Sequence, residues 1–263
     1  MKIALLQLDI KWLDPEANHA KAEFFIRKAA AEECDLVVLP EAFTTGFPMQ
    51  ATMFSENSPD STTPFLSSLA RELGINIIAG YLTSVSGEKK GRNIAVAIDR
   101  HGLTAGYYSK MYMFSVINEA DMIRAGEQPA VFSLDGVAST IFICYDIRFP
   151  EIFRTVAPSV QCIFVIANWL TKRIDHWAAL LKARAIENQC FVIGINRVGV
   201  DGNNIPYPGL SLAYDPWGYE ICSGRDKEGI ITCDIDPNMV NRTRERFPFL
   251  FDMRDIDIRG KEK

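Results

Sequence analysis

The sequence predicts a layered α/β protein, and three observations carry that reading. Strand-like and helix-like stretches interleave along all 263 residues. The strand-like stretches are almost wholly apolar, as strands are in sheets covered on both faces. No Ser/Gly-rich linker or low-complexity segment interrupts the alternation, so a single domain spanning residues 1–263 is expected.

Taken in order, IALLQL at 3–8 reads as a short buried strand. Residues 16–32 carry Ala17, Ala20, Phe24 and Ala31 at helical spacing, and Pro15 suits a first turn. LVVL at 36–39 is a strand that ends at Pro40, and a helix over 62–73 ends at Gly74, a natural helix stop. INIIAGYL, NIAVAI and LTAGYYS then follow closely, separated by Gly-containing turns, and predict neighbouring antiparallel strands. The second half repeats the theme. STIFI (139–143) is a strand, 150–157 a short helix begun by Pro150, and CIFVIAN a strand. Residues 173–188 form a helix, CFVIGINRV a strand, LSLAYDPWGYEI a turn at Asp215–Gly218, and GIITCDI a late strand. The tail from about residue 247 alternates polar and aromatic residues and is expected to rest on a partner subunit.

Composition narrows the function. Hydrophobic residues make up 48% of the chain and charged residues 23%, enough for a sizeable core. The formal net charge of −5 and the scattered Lys and Arg residues argue against nucleic acid as a partner. The first apolar run breaks at Asp9, too early for a signal peptide, and no stretch approaches the ~20 apolar residues of a membrane span. A cytoplasmic protein that binds no membrane is expected. Cys34, Cys144, Cys162, Cys190, Cys222 and Cys233 are widely spaced with no CxxC pair, so free thiols are expected rather than disulfides or a zinc site. No motif implies a metal, a nucleotide or a flavin; no cofactor is expected.

Three reactive side chains follow strands, where chemistry gathers in layered α/β folds. They are Glu41 after LVVLP, Lys110 after LTAGYYS and Cys144 after STIFI. Each has a plain alternative. Cys144 alone reads as a packed apolar residue, Glu41 as a solvated carboxylate, and Lys110 as a lysine laying its stem on apolar surface. The segment after Cys144, YDIRFPE, places Asp146, Arg148 and Glu151 beside a thiol that ends a buried strand. Such a cluster costs free energy there unless its charges pair around a pocket.

Together, LVVLPEAFTTGF, YYSKMYMF and ICYDIRFPE resemble, in order and spacing, three signature segments of the nitrilase superfamily of carbon–nitrogen hydrolases. The resemblance continues through NWLTKRIDHW, KARAIENQCFVIGINRVG and SLAYDPWG and covers essentially the whole chain. It implies a four-layer α–β–β–α sandwich, assembled as a homodimer or larger homo-oligomer. It also implies a triad of Glu41, Lys110 and Cys144, with Glu119 as a second carboxylate in the site. ICYDIRFPE, DHW and RAIENQ are most similar to the omega-amidase branch, which hydrolyses the terminal amide of short dicarboxylic monoamides such as 2-oxoglutaramate and 2-oxosuccinamate. The chain departs from the branch at Tyr112, where relatives carry a histidine after the lysine (K-x-H-L-F).

The expected chemistry follows from the amide bond, which needs a strong nucleophile and help for its leaving nitrogen. Glu41 takes the Cys144 proton, the thiolate attacks, and Lys110 with the Tyr145 backbone N–H holds the oxyanion. Glu119 orients Lys110 and keeps it charged. For a substrate carboxylate, Arg148 and Arg173 are the available cations, with Arg148 also placed to pair with Asp146 or Glu151. Trp169 and Tyr112 complete the candidates for the pocket, and His176 is expected to bond locally rather than take part in chemistry. The rival substrates are an aliphatic amide, an N-carbamoyl compound or a nitrile, and a non-catalytic scaffold would keep the same sandwich. A Cys–His hydrolase has only His176 downstream of Cys144 and no Gly-x-Cys-x-Gly elbow.

Overall fold

In the computed structural model the described residues are 1–47, 61–84, 87 and 89–254. The first half runs β1 (Lys2–Gln7), α1 (Pro15–Ala31), β2 (Leu36–Val38), α2 (Thr62–Leu73), β3 (Asn76–Thr83), β4 (Arg92–Ile98) and β5 (Thr104–Ser109). A short α3 (Glu119–Met122) leads to β6 (Val131–Leu134), β7 (Val137–Ile143), α4 (Pro150–Val156), β8 (Cys162–Ala167), α5 (Ile174–Asn188) and β9 (Phe191–Asn196). A small ribbon of β10 (Val198–Val200) and β11 (Pro206–Pro208) precedes β12 (Leu212–Tyr214), β13 (Glu220–Ser223), β14 (Gly229–Asp234) and α6 (Asn238–Arg246). The helix ends follow local chemistry. Asp14 caps α1 by accepting from the Ala17 N–H with Pro15 beside it, and Gly74 ends α2 at φ 66°.

The strands form two six-stranded sheets, ordered β14-β1-β2-β3-β4-β5 and β13-β12-β9-β8-β7-β6. β1, β2 and β3 are parallel through the α1 and α2 crossovers, and β7, β8 and β9 are parallel through α4 and α5. β3, β4 and β5 are antiparallel neighbours, as their spacing predicts.

Period-two alternation explains the layering. Ala4, Leu6, Val37, Leu39, Ile77 and Ala79 share a core with Ala22, Ile26, Leu66 and Ala70 of α1 and α2. Their neighbours Ile3, Leu5, Leu36, Val38 and Ile78 belong instead to the core formed with the second sheet. On the far side Phe153, Trp177, Leu181 and Ala185 cover the second sheet. The order of layers is therefore α–β–β–α, as expected. Strands buried on both faces explain the unbroken apolar runs in the sequence.

Several short elements escape the sequence reading: α3, β6, β11 and α6. α3, β6 and β11 are too short to carry a periodic stretch, and α6 is dominated by Asn, Arg and Glu, with few apolar residues to mark its buried face. No described helix is long and apolar enough to cross a membrane. The tail beyond residue 254 lies outside the described residues, while Phe249 and Phe251 just before it are exposed.

Candidate active site

Strand ends from both sheets meet at one cavity of about 90 Å³, lined by Glu41, Lys110, Glu119 and Cys144. Glu41 lies in the turn after β2, and its backbone packs tightly on β3. A Cβ added at Gly80 would stand 3.0 Å from the Glu41 Cα and 2.3 Å from the Ile166 side chain, so this approach requires glycine. Lys110 follows β5 directly, and its amide donates to the Asn93 carbonyl at the start of β4 (2.9 Å).

Cys144 directly follows β7 and opens a tight turn with φ 49°, a left-handed backbone that non-glycine residues rarely adopt. The turn throws the thiol into the cavity, and Tyr145 follows as its second residue. The Tyr145 N–H belongs to the first turn of a helical segment, where amides have no partner within the helix.

The carboxylates are held from several sides. Glu41 Oε1 accepts from Asn93 Nδ2 (2.7 Å) and lies 3.5 Å from Lys110 Nζ. Glu41 Oε2 accepts from the Asn168 N–H (2.8 Å), while Asn168 Nδ2 donates to the Glu41 carbonyl (3.0 Å). Glu119, fully buried, receives Lys110 Nζ on both oxygens (2.7 and 2.9 Å) and the Phe114 N–H on Oε2 (2.7 Å). Burial pulls the Lys110 ammonium toward neutrality, but Glu41 and Glu119 more than offset it, so its pKa lies above the ordinary lysine range. Burial pushes the Cys144 thiol well up, Glu41 pushes it further, and Lys110 opposes both. The site therefore sets a thiol biased toward its neutral form beside a lysine biased toward its charged form, an arrangement in which the thiol becomes a nucleophile only with a base beside it.

Asp146 departs from the expected pairing with Arg148. Its Oδ2 accepts from the Tyr108 hydroxyl (2.7 Å) and the Ile143 N–H (3.0 Å), and Oδ1 from the Tyr112 N–H (2.9 Å). Burial pushes its pKa up to about 6 against these donors. Asp146 thus ties the end of β7 to the segment after β5 and braces the Cys144 turn. Asp146→Asn turns one acceptor oxygen into a donor that faces donors. It is expected to cost about 1–3 kcal/mol of stability, read as a lower Tm, together with reduced turnover.

Arg148 and Arg173 line the cavity, and neither has a carboxylate within ion-pair distance among the described residues. The Arg148 guanidinium lies 4.9 Å above the Trp169 ring, and that of Arg173 lies 5.2 Å above Phe114. Trp169 also lines the cavity and donates through Nε1 to the Arg173 carbonyl (2.7 Å). Tyr112 is not brought to the wall. Its ring stacks flat on Phe149 at 3.7 Å. His176 stands in the first turn of α5 with Nδ1 3.4 Å from Arg148 Nη2 and does not line the cavity.

Asn93 and Asn168 were invisible to sequence reasoning, because an asparagine beside a strand carries no motif of its own. Both are buried, and each orients Glu41. Among the described residues no group of three or more His, Cys, Asp or Glu is placed to hold a metal.

The sequence profile of carbon–nitrogen hydrolases matches residues 2–245. The chain is 37% identical to the 2-oxoglutaramate amidase of Bacillus subtilis, over 96% of this chain and 97% of that protein. It is 34% identical to the omega-amidase YafV of Escherichia coli K12, over 94% of each. A crystal structure of a CN-hydrolase superfamily protein of Xanthomonas campestris, with an arsenic adduct in its active site, superposes with a TM-score of 0.89. The two share 31% identity over 97% of this chain and 98% of that one.

Proposed function

The chain belongs to the carbon–nitrogen hydrolase family and hydrolyses amides, and we propose that its substrates are short dicarboxylic monoamides, including 2-oxo acids, cut at the terminal amide. The observation that carries this substrate class is the pair of guanidinium groups, Arg148 and Arg173, on the wall that also bears the Cys144 thiol. Neither is neutralised by a carboxylate among the described residues, and a carboxylate is the group that arginine holds best. The names of the relatives point the same way.

In the proposed reaction Glu41 accepts the Cys144 proton as sulfur attacks the amide carbon. The oxyanion forms between Lys110 Nζ and the Tyr145 N–H, in a site where preorganised donors contribute most. Glu119 holds Lys110 in place and keeps it charged through two short hydrogen bonds. Glu41 returns the proton to the nitrogen, ammonia leaves, and a thioester remains on Cys144. Water then gives a proton to Glu41 and attacks the thioester. The acid departs, and the proton returns to sulfur. The net change is amide plus water to acid plus ammonia. Asn93 and Asn168 act as positioning residues, since each donates to one oxygen of the base.

A homodimer or larger assembly is also proposed, supported by the exposed Phe249 and Phe251 at the end of the described chain. Ammonia release measured over glutaramate, succinamate, their 2-oxo analogues, neutral aliphatic amides and nitriles tests the substrate class. The anionic monoamides are expected to have kcat/KM at least about 10²-fold above neutral amides of equal length, the scale of a lost charge-assisted pair. Preference for a neutral long-chain amide would remove the dicarboxylate reading while leaving the triad intact.

A further inference from the structure

The spacing of the cysteines predicts free thiols, and Cys34, Cys162, Cys190 and Cys233 are buried ones. Cys222 is only half-buried. It lies on β13, the edge strand of the second sheet, while Cys233 lies on β14, the edge strand of the first. The two strands are consecutive in the chain, separated by residues 224–228, and approach each other closely.

Register shows where the two thiols point. Cys233 is opposite Ile3 in the β1–β14 ladder, and Ile3 belongs to the core between the sheets, whereas Ala4 and Leu6 face the helices. Residues directly opposite in a ladder share a face, so Cys233 points between the sheets. In the second sheet a Cβ on Gly194 would meet Leu181 and Trp177 of α5, so Gly194 faces the helix. Its ladder partner Leu212 does the same. Ala213, one residue further, faces the other way, and so does its partner Cys222. Both thiols therefore occupy the space between the sheets at one shared edge, on two strands in direct contact.

We propose that Cys222 and Cys233 form a peroxide-reactive dithiol whose oxidation to a disulfide ties the two sheets together at this edge. The half-buried Cys222 thiolate attacks hydrogen peroxide, breaking the O–O bond to give a sulfenic acid and hydroxide. The Cys233 sulfur then displaces the sulfenic hydroxyl, and its proton leaves with that oxygen as water. The sum is two thiols plus one peroxide to one disulfide plus two waters.

The electrostatics favour this order of events. The neighbouring Cys233 thiol draws the Cys222 pKa below the ordinary thiol value, while Cys222 and burial hold the Cys233 proton in place. A lowered, accessible thiol beside a second one is the arrangement oxidation selects. Cys144 is the opposite case, pushed up by burial and by Glu41.

The test treats the purified full chain with one to a few equivalents of hydrogen peroxide, alkylates the remaining thiols and maps the peptides by mass spectrometry without reduction. Trypsin cuts at Arg225 and Lys227, so a disulfide appears as two joined peptides. The expected result is a Cys222–Cys233 link before any oxidation of Cys144, reversed by dithiothreitol, with Tm raised by about 5 °C. In Cys233→Ser the Cys222 sulfenic acid has no partner and should accumulate as a dimedone adduct. Cys222→Ser should give neither link nor adduct and keep the basal rate of ammonia release. Oxidation of Cys144 first, a Cys222 sulfinic acid with no link in the unmodified chain, or an unreactive Cys222 would each overturn the proposal.

Discussion

Cys144→Ala is expected to lower amide turnover on the order of 10⁴- to 10⁶-fold, the scale seen when an enzyme loses its nucleophile. The cavity offers no substitute. Among the described residues the other five cysteines do not line it, and the polar side chains that do include the carboxylates Glu41 and Glu119 but no second thiol. A carboxylate attacking an amide directly would have to form an anhydride, a worse acyl donor to reach than a thioester. Residual hydrolysis would come from the oxyanion donors and substrate placement alone. Two readouts keep the outcome specific. Intact-mass analysis of the unmodified enzyme during turnover should show an acyl adduct on Cys144 and on no other cysteine. Binding of an anionic monoamide to the Ala variant should persist, because Arg148 and Arg173 are untouched. Full turnover by the Ala variant would sink the thioester mechanism.

How much of this was legible in the chain depends on range. The layering could be anticipated where a strand is buried on both faces, as in CIFVIA, because such a strand leaves a continuous apolar run, whereas the order of the strands within each sheet could not. Glu41, Lys110 and Cys144 were visible because each follows a strand and sits in a motif. The hydrogen bonds that make them a site were not. Asn93 lies 52 residues from Glu41, and Asn168 lies 127 residues away, and nothing local in either stretch marks the pairing. Asp146 misled for the same reason. Its neighbour Arg148 is the obvious partner in sequence, yet the nearest donors in space are the Tyr108 hydroxyl and two backbone amides. A carboxylate two residues from an arginine on a tight turn can point into the core while the arginine points into the cavity. The left-handed backbone at Cys144 was hidden as well, since cysteine is not a residue type that advertises φ above zero.

Glu41→Gln carries the second large expectation, a fall in kcat of about 10²- to 10⁴-fold, the range in which a positioned base contributes. The argument begins with the thiol. Burial and the neighbouring carboxylate hold Cys144 well above its ordinary pKa and so favour the protonated thiol over the thiolate. Lys110 alone does not reverse this, although it favours the anion. The proton must pass to a base as the C–S bond forms, and Glu41 is the carboxylate whose oxygens are fixed beside the thiol, by Asn93 on one side and the Asn168 N–H on the other. Glu119 is committed to both its contacts with Lys110 and to the Phe114 N–H. Gln keeps the size and one acceptor oxygen but cannot take a proton. Alkylation separates the two effects of Glu41. Its charge pushes the Cys144 pKa up, so iodoacetamide at neutral pH is expected to modify Cys144 of the Gln variant at least as fast as in the unmodified enzyme, while kcat falls because the leaving nitrogen has lost its proton donor. A merely misfolded variant would behave differently, with a large drop in Tm and faster, indiscriminate alkylation of buried thiols such as Cys162. If Glu41→Gln keeps wild-type kcat, the base is another group, and Glu119 is the carboxylate that also reaches Lys110.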